Sequence, residues 1–119
     1  MKAQMKALSV RQPHASRIAA GKKTLEVRSR RIHHRGPLLI CATARPQIDD
    51  LPTGVAVCIV DVVDCRLMLP TDAEAACVSY HPGHYVWQLA NARPAPAIRV
   101  RGQQSLFTVQ IDVFTRIAG

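Results

Sequence analysis

The stretch Gly54–Cys65, GVAVCIVDVVDC, is the longest apolar run in the chain and decides its fold class. Valine and isoleucine dominate it, and β-branched side chains favour a strand over a helix because they pack well on a pleated surface. The run is also well short of the roughly 18 apolar residues that a membrane-spanning helix needs. We therefore predict that it forms a long central strand of a β-sheet.

Shorter segments on both sides of the central strand also have the pattern of strands. Some alternate between apolar and polar residues, and others are continuously apolar, as is typical of half-buried and fully buried strands. Pattern and turn residues together predict strands over residues 6–11, 24–30, 38–43, 85–90 and 106–114.

The predicted helices are few and short. Residues 13–20 form one, because Pro13 suits the first turn of a helix and Gly21 suits the left-handed position after its end. A second follows Thr71, where Thr-Asp-Ala-Glu matches a capping box, and residues 47–51 form a single helical turn. Strands dominate, so the sequence predicts an α+β fold: a small mixed β-barrel with two or three short helices, in one domain over residues 1–119.

Positive charge is concentrated in the first part of the chain. The sequence has 16 Lys and Arg against 8 Asp and Glu, a formal net charge of +8. Residues 1–45 hold 11 of the basic side chains and a single acid, Glu26, and so carry +10, whereas residues 46–119 carry −2. This asymmetry predicts a polyanion partner bound mainly by the N-terminal third; the alternative is a solvated basic face that only aids solubility.

The segment Gly21–Arg28, GKKTLEVR, combines two lysines, a hydroxyl group, the lone carboxylate and a guanidinium. Strand alternation places the side chains of Glu26 and Arg28 on one face. There Glu26 can fix the guanidinium of Arg28 or act as a general base, while Lys23 can bind a phosphate or polarise a carbonyl group. The alternative is an ordinary ion pair on a solvated face.

Six segments of the chain follow one another in an order that is typical of a known family. Three of them read LSVRQPHA, IAAGKKTLEVRS and HRGPLLICAT, and they contain the motifs Arg-Gln-Pro and Gly-x-Lys-x-x-Glu-x-Arg. Together the segments closely resemble the ASCH domain family, over nearly the whole chain. They are Leu8–Ala15, Ile18–Ser29, His34–Thr43, Gly54–Cys65, Tyr85–Pro94 and Val100–Gly102.

This resemblance implies a PUA-like β-barrel with a cleft, in a superfamily whose members bind RNA. In the family, the two motifs line the cleft. Carried over to this sequence, they identify Arg11, Gln12, Pro13, Lys23, Glu26 and Arg28, and more loosely Ser9, Arg35 and Gly36. The leading prediction is therefore that a basic cleft binds RNA, another single-stranded nucleic acid or a modified nucleoside.

The sequence departs from the family at two aromatic positions. Many members carry Trp where this chain has His14 and Arg30, so two platforms for base stacking, each worth roughly 1–3 kcal/mol, are lost. His and Arg also stack on bases, which predicts weaker aromatic recognition and a larger electrostatic share. Trp87 is interpreted either as a wall for a stacked base or as a packed core residue, and Asn91 either reads a base edge or caps a turn.

Some relatives in the family are enzymes, so a hydrolase that acts on RNA or nucleosides is the alternative hypothesis for the function. One group hydrolyses the amide of N4-acetylcytidine with a Lys and, three residues later, a nucleophilic Thr. Here Lys23 matches that lysine, but the position three residues later is Glu26, and Thr24 stands one residue along the strand. A ribonuclease would instead use Lys23, Glu26 and Arg28 to activate a 2′-hydroxyl and stabilise the phosphorane. If the protein is an enzyme, its predicted catalytic residues are Lys23 and Glu26.

Two further patterns, at residues 77–84 and at the N-terminus, do not indicate a catalytic or metal site. Cys77, His81 and His84 fit C-x3-H-x2-H, but no fourth ligand stands at zinc spacing, so neither a metal nor another cofactor is expected. The N-terminus lacks the apolar segment of a secretory signal, which predicts a cytoplasmic protein with reduced thiols and no membrane partner.

Overall fold

The computed structural model describes residues 2–112, and all six predicted strands are present. The last two positions of the final predicted strand, 113 and 114, lie outside the described residues. In chain order the elements are β1 (Lys2–Val10), α1 (His14–Ala19), β2 (Leu25–Arg28), β3 (Gly36–Ala42), β4 (Ala56–Leu67), a 3-10 turn (Pro70–Asp72), α2 (Ala73–Ala76), β5 (Tyr85–Arg93) and β6 (Phe107–Asp112).

The six strands form one mixed sheet in the order β2-β5-β4-β3-β1-β6. Strands β1 and β3 are parallel, and every other neighbouring pair is antiparallel. The apolar run at its centre behaves as predicted, because β4 has twelve residues and pairs with β3 on one side and β5 on the other. The predicted α+β class is therefore confirmed.

The predicted closed barrel is wrong, since the sheet is open. Its outer strands are β2 and β6, and no ladder joins them in the described part of the chain. The lengths of the strands give the physical reason: β2 has only four residues, and β6 pairs with β1 only from Lys2 to Ala7. The last residues of β1, 8–10, thus extend past β6 and face a gap where closure would occur.

The helices number two within residues 2–112, at the low end of the prediction. Residues 47–51 form only a turn, in which Leu51 N donates to Ile48 O at 3.0 Å. The capping box predicted at Thr71 is replaced by a different arrangement, because the carboxylate of Asp72 accepts a hydrogen bond from Leu69 N at 2.8 Å. Neither described helix is long and apolar enough to cross a membrane.

Apolar side chains pack on both faces of the sheet, because successive residues of a strand point to opposite sides. On one face Leu8, Ile40 and Val60 form the main core, which α1 covers with Ile18. On the other face a smaller cluster includes Leu39 and is covered by residues 95–100. The second half of β1 is thereby anchored in the core while one of its edges stays unpaired.

Candidate functional site

The turn after α1 carries Lys23 into the protein interior. Gly21 has a φ of +77°, the left-handed conformation predicted for it, which glycine adopts without steric cost. The N–H groups of Lys22 and Lys23 both donate to the carbonyl of Arg17, at 2.9 and 3.1 Å, and so complete the helix end. As a result Lys23 is only 2% exposed where the chain enters β2.

Glu26 stands between two cations. Its Oε1 lies 3.5 Å from Nζ of Lys23, and its Oε2 accepts hydrogen bonds from Nε and Nη2 of Arg28, at 3.0 and 2.7 Å. The predicted pairing of Glu26 with Arg28 on one strand face is therefore present. This face is not solvated, because Glu26 is only 6% exposed. Both cations help to offset the cost of burying its carboxylate.

The ammonium of Lys23 has a second partner at the end of α2. It donates a hydrogen bond to the carbonyl of Ala76, the last residue of that helix, where the partial negative charge of a helix terminus lies. Burial lowers the pKa of Lys23, and the attraction of Glu26 opposes this shift. The side chain therefore ties α2 to β2 from inside.

Arg28 spans the gap in the open sheet. While two of its N–H groups bind Glu26, Nη2 also donates to the carbonyl of Ser9 at 2.9 Å. This carbonyl belongs to the part of β1 that β6 leaves unpaired. One side chain thus connects the two strands that flank the gap, and its Nη1 makes no hydrogen bond to any described residue.

A cavity of about 370 Å³ occupies the gap beside this ion pair. Six residues singled out from the sequence line it: Ser9, Arg11, His14, Lys23, Glu26 and Arg28. Three of these side chains are cationic and one is a carboxylate, so the cavity is positively charged at neutral pH. Arg11 is exposed at its mouth, whereas Lys23 and Glu26 are buried in its wall.

His14 lines this cavity and has one buried polar atom without a partner. Its Nδ1 is buried and has no hydrogen-bond partner among the described residues. Burial lowers the pKa of His14, and the positive charge of Lys23 lowers it further. The lowered pKa favours the neutral form of the imidazole in the folded protein.

Two residues of the Arg-Gln-Pro motif have structural partners. The amide of Gln12 donates to Ser16 Oγ at 2.9 Å and to the carbonyl of Pro52 at 2.8 Å, and its oxygen accepts from Ser16 N at 3.0 Å. It thereby caps the first turn of α1 and holds the loop before β4. Pro13, half-buried, precedes the helix directly. Neither residue lines the cavity.

Arg35 and Asn91 also lie apart from the cavity. The guanidinium of Arg35 donates to the carbonyl of Ile32 at 3.0 Å and supports its own loop, next to Gly36. Asn91 adopts a φ of +57° in β5 and donates to the carboxylate of Asp61 at 3.0 Å. Both were predicted as binding residues, Arg35 from the family motif and Asn91 from its place at a strand end, but the fold does not bring them to this cavity.

A second cavity of about 380 Å³ adjoins the first and shares Arg28 with it. Arg30, Arg31 and His33 line it together with Trp87. Trp87 is 5% exposed, belongs to the main core and donates its indole N–H to the carbonyl of Arg30 at 3.2 Å. The core interpretation of Trp87 is therefore confirmed, and only a small part of its ring faces the cavity.

The predicted C-x3-H-x2-H pattern is not assembled as a cluster. The ring of His81 bonds to the carbonyl of Ser79 at 2.7 Å, and the thiol of Cys77 points to the carbonyl of Lys22 at 3.7 Å. Across residues 2–112, no three His, Cys, Asp or Glu side chains are placed to hold a metal ion.

The sequence patterns missed the contribution of the segment around α2. Val78 lines the first cavity, and Ala76 supplies the carbonyl that holds Lys23. A carbonyl group has no residue-specific signal, and Val78 is an ordinary apolar residue, so only the three-dimensional packing identifies them.

The profile of the ASCH domain matches residues 8–99, which include every residue that lines the first cavity. Among solved structures, ASCH from Zymomonas mobilis is similar over 88% of this chain and 87% of its own, with 18% identity and a TM-score of 0.70. A Tyr→Phe mutant of that protein covers 88% and 89% at 16% identity and a TM-score of 0.65. A Ser→Ala mutant covers 88% and 87% at 17% identity and a TM-score of 0.63. At these identities the likeness concerns the fold alone. No curated protein sequence matches the chain.

Proposed function

Because the chain belongs to the ASCH domain family, whose fold is PUA-like, we propose that it binds single-stranded RNA in the first cavity. One observation carries this proposal: the cavity combines three cationic side chains with a single buried carboxylate, at the gap of an otherwise packed sheet. The positive charge attracts the phosphate backbone, and the carboxylate holds the cations in fixed positions.

The residues have different roles in this proposal. Arg11, exposed at the mouth, contacts phosphate directly, and Nη1 of Arg28 offers two further N–H donors to phosphate or to a base oxygen. Lys23 contributes mainly through its charge, because its ammonium is buried and already bonded. Glu26 orients Arg28 through two hydrogen bonds, and His14 contributes to the wall of the same cavity.

The binding proposal is tested by anisotropy titration of a fluorescent single-stranded RNA at several salt concentrations. We expect affinity to fall steeply with salt, and Arg11→Ala to reduce the slope of log K against log salt by about one, as for the loss of one phosphate contact. Arg99→Ala is the matched control, since Arg99 is exposed and lines neither cavity. The same slope and affinity for both variants would contradict binding in this cavity.

Hydrolysis of RNA or of a modified nucleoside is the second candidate. It is favoured by the pairing of Lys23 with Glu26 in the wall of the cavity, where burial lowers the pKa of Lys23 and makes its amine easier to deprotonate. Thr24 does not supply the hydroxyl nucleophile of the amidohydrolases in this cavity, because it is absent from the lining. Mass spectrometry of RNA and of N4-acetylcytidine after incubation distinguishes the functions. Products that disappear with Lys23→Met, in a variant that keeps its fold, would replace the binding proposal.

A further inference from the structure

We infer that the ligand is a strand of linked nucleotides, and that the second cavity binds the nucleotide next to the one in the first cavity. This inference rests on the proposed function, which names the RNA strand, and adds a second nucleotide site and the residues that form it. Its starting point is that Arg28 lines both cavities, so a ligand in one lies beside a ligand in the other.

The charge of the second cavity fits a phosphodiester. Arg28, Arg30 and Arg31 line it with His33, and none of its described lining residues is acidic. The guanidinium of Arg28 is held by Glu26 and Ser9, its Nη1 has no hydrogen-bond partner among the described residues, and the side chain belongs to a residue that lines both cavities. A phosphate that links two nucleotides would meet this group first, and Arg30 is exposed beside it.

Arg31 gives this cavity a surface for a base. Its guanidinium lies over the ring of Tyr85, with Cζ at 5.1 Å from the ring centroid, and this cation–π contact restricts its position. A guanidinium plane can also stack on a base, and Arg31 is exposed on the wall of this cavity. Trp87 cannot take this role, because 95% of its surface is buried and its indole N–H is bonded. Arg31 therefore substitutes for an aromatic platform.

The inference is tested by NMR titration with uridine monophosphate and with the trinucleotide UpUpU, because chemical shifts report even weak binding. We expect Arg31→Ala to lower the affinity for the trinucleotide about tenfold, because the stacking of one base is lost. The affinity for the mononucleotide should change less than twofold. Arg31→Lys keeps the charge but loses the planar surface, so it should lose most of the same affinity. Arg99→Ala is the control for charge alone. Trp87 is the only Trp, so its single indole N–H signal monitors the second cavity.

Two outcomes would overturn the inference while the proposed function stands. In one, Arg31→Ala and Arg99→Ala lower the affinity for the trinucleotide equally, which would show that only the overall charge of the protein matters and that Arg31 forms no specific site. In the other, Arg31→Ala weakens mononucleotide and trinucleotide by the same factor, so that only one nucleotide is recognised. If the unaltered protein binds neither probe, the proposed function itself fails.

Discussion

Among the carboxylates that arginine side chains hold in the described part of the chain, two are buried to almost the same extent. The side chain of Glu26 is 8% exposed and that of Asp72 is 9% exposed. Asp72 binds both terminal nitrogens of Arg66, at 2.8 and 2.9 Å, and accepts from the backbone at Leu69. Glu26 binds Arg28 twice but also faces the ammonium of Lys23. Burial therefore does not distinguish the two regions, whereas the number of cations does.

The comparison separates a structural ion pair from a candidate binding site. At Asp72 one cation balances one anion, the hydrogen bonds close the turn after β4, and neither residue lines the two cavities next to Arg28. Glu26 is paired with two cations, Lys23 and Arg28, so the cluster has a net positive charge. It lines a cavity large enough for a ligand. A neutral pair stabilises the chain itself, while a positive excess beside a cavity leaves charge available to an anion.

The largest expected effect is on stability and comes from neutralising each carboxylate. Glu26→Gln leaves the buried ammonium of Lys23 without a counter-ion, and removing one partner of a buried pair costs about 3–5 kcal/mol. Asp72→Asn leaves Arg66, whose side chain is 40% exposed, free to be solvated, so about 1–2 kcal/mol is expected. Urea unfolding monitored by circular dichroism measures both. Equal losses would remove the distinction between the two regions.

The next largest effect is expected when each arginine is replaced by lysine, which has a single ammonium in place of a guanidinium with several N–H donors. Arg28→Lys cannot bond to Glu26 twice and to Ser9 together, so we expect about tenfold weaker RNA binding with a modest loss of stability. Arg66→Lys should lower stability by about 1 kcal/mol and leave RNA affinity within twofold. Anisotropy titration and urea unfolding of both variants provide the test. An RNA affinity that depends equally on both arginines would contradict the proposed site.

The smallest expected effect is that of pH on stability. Its sign follows from the lowered pKa values of His14 and Asp72. Burial and Lys23 lower the pKa of His14 in the folded state, so below pH 6.5 the unfolded chain binds a proton that the folded chain does not, and stability falls. The bonds from Arg66 lower the pKa of Asp72 below 3.8, so its contribution is complete above that pH and is lost only as pH falls further.

Unfolding free energies between pH 8 and pH 3 check this order. His14→Gln should flatten the slope just below pH 6.5, and Asp72→Asn should flatten only the acid end. A slope near pH 6 that persists in His14→Gln would assign the titration to another group.

Local patterns predicted the strands well but not their closure. The alternation of Thr24–Arg30 correctly placed Glu26 and Arg28 on one face, and the Val-rich run correctly marked the centre of the sheet. Whether the outer strands meet depends on the lengths of β2 and β6 and on their register, which no local pattern contains. Because the sheet stays open, β2 has one edge that pairs with no described strand, and its polar side chains border a cavity.

The candidate site was likewise predicted only in part from the sequence. Sequence motifs identify side chains such as Lys23 and Glu26, since charge in a short segment is visible in the sequence. They do not distinguish Gln12, which caps a helix, from Arg11, which lines the cavity, because neighbouring residues can point in different directions. The carbonyls of Ser9 and Ala76 act through the backbone and carry no motif at all.

The contact from Arg28 to Ser9 has a consequence for the size of the opening. A ladder of backbone hydrogen bonds would hold two strands about 4.7–4.9 Å apart, whatever their side chains. Here a guanidinium at the end of three methylene groups takes the place of the ladder, so the length of one side chain acts as the spacer between β1 and β2. The distance between β1 and β2 at the proposed binding site thus depends on the length of a single side chain and not on a backbone ladder that would fix it.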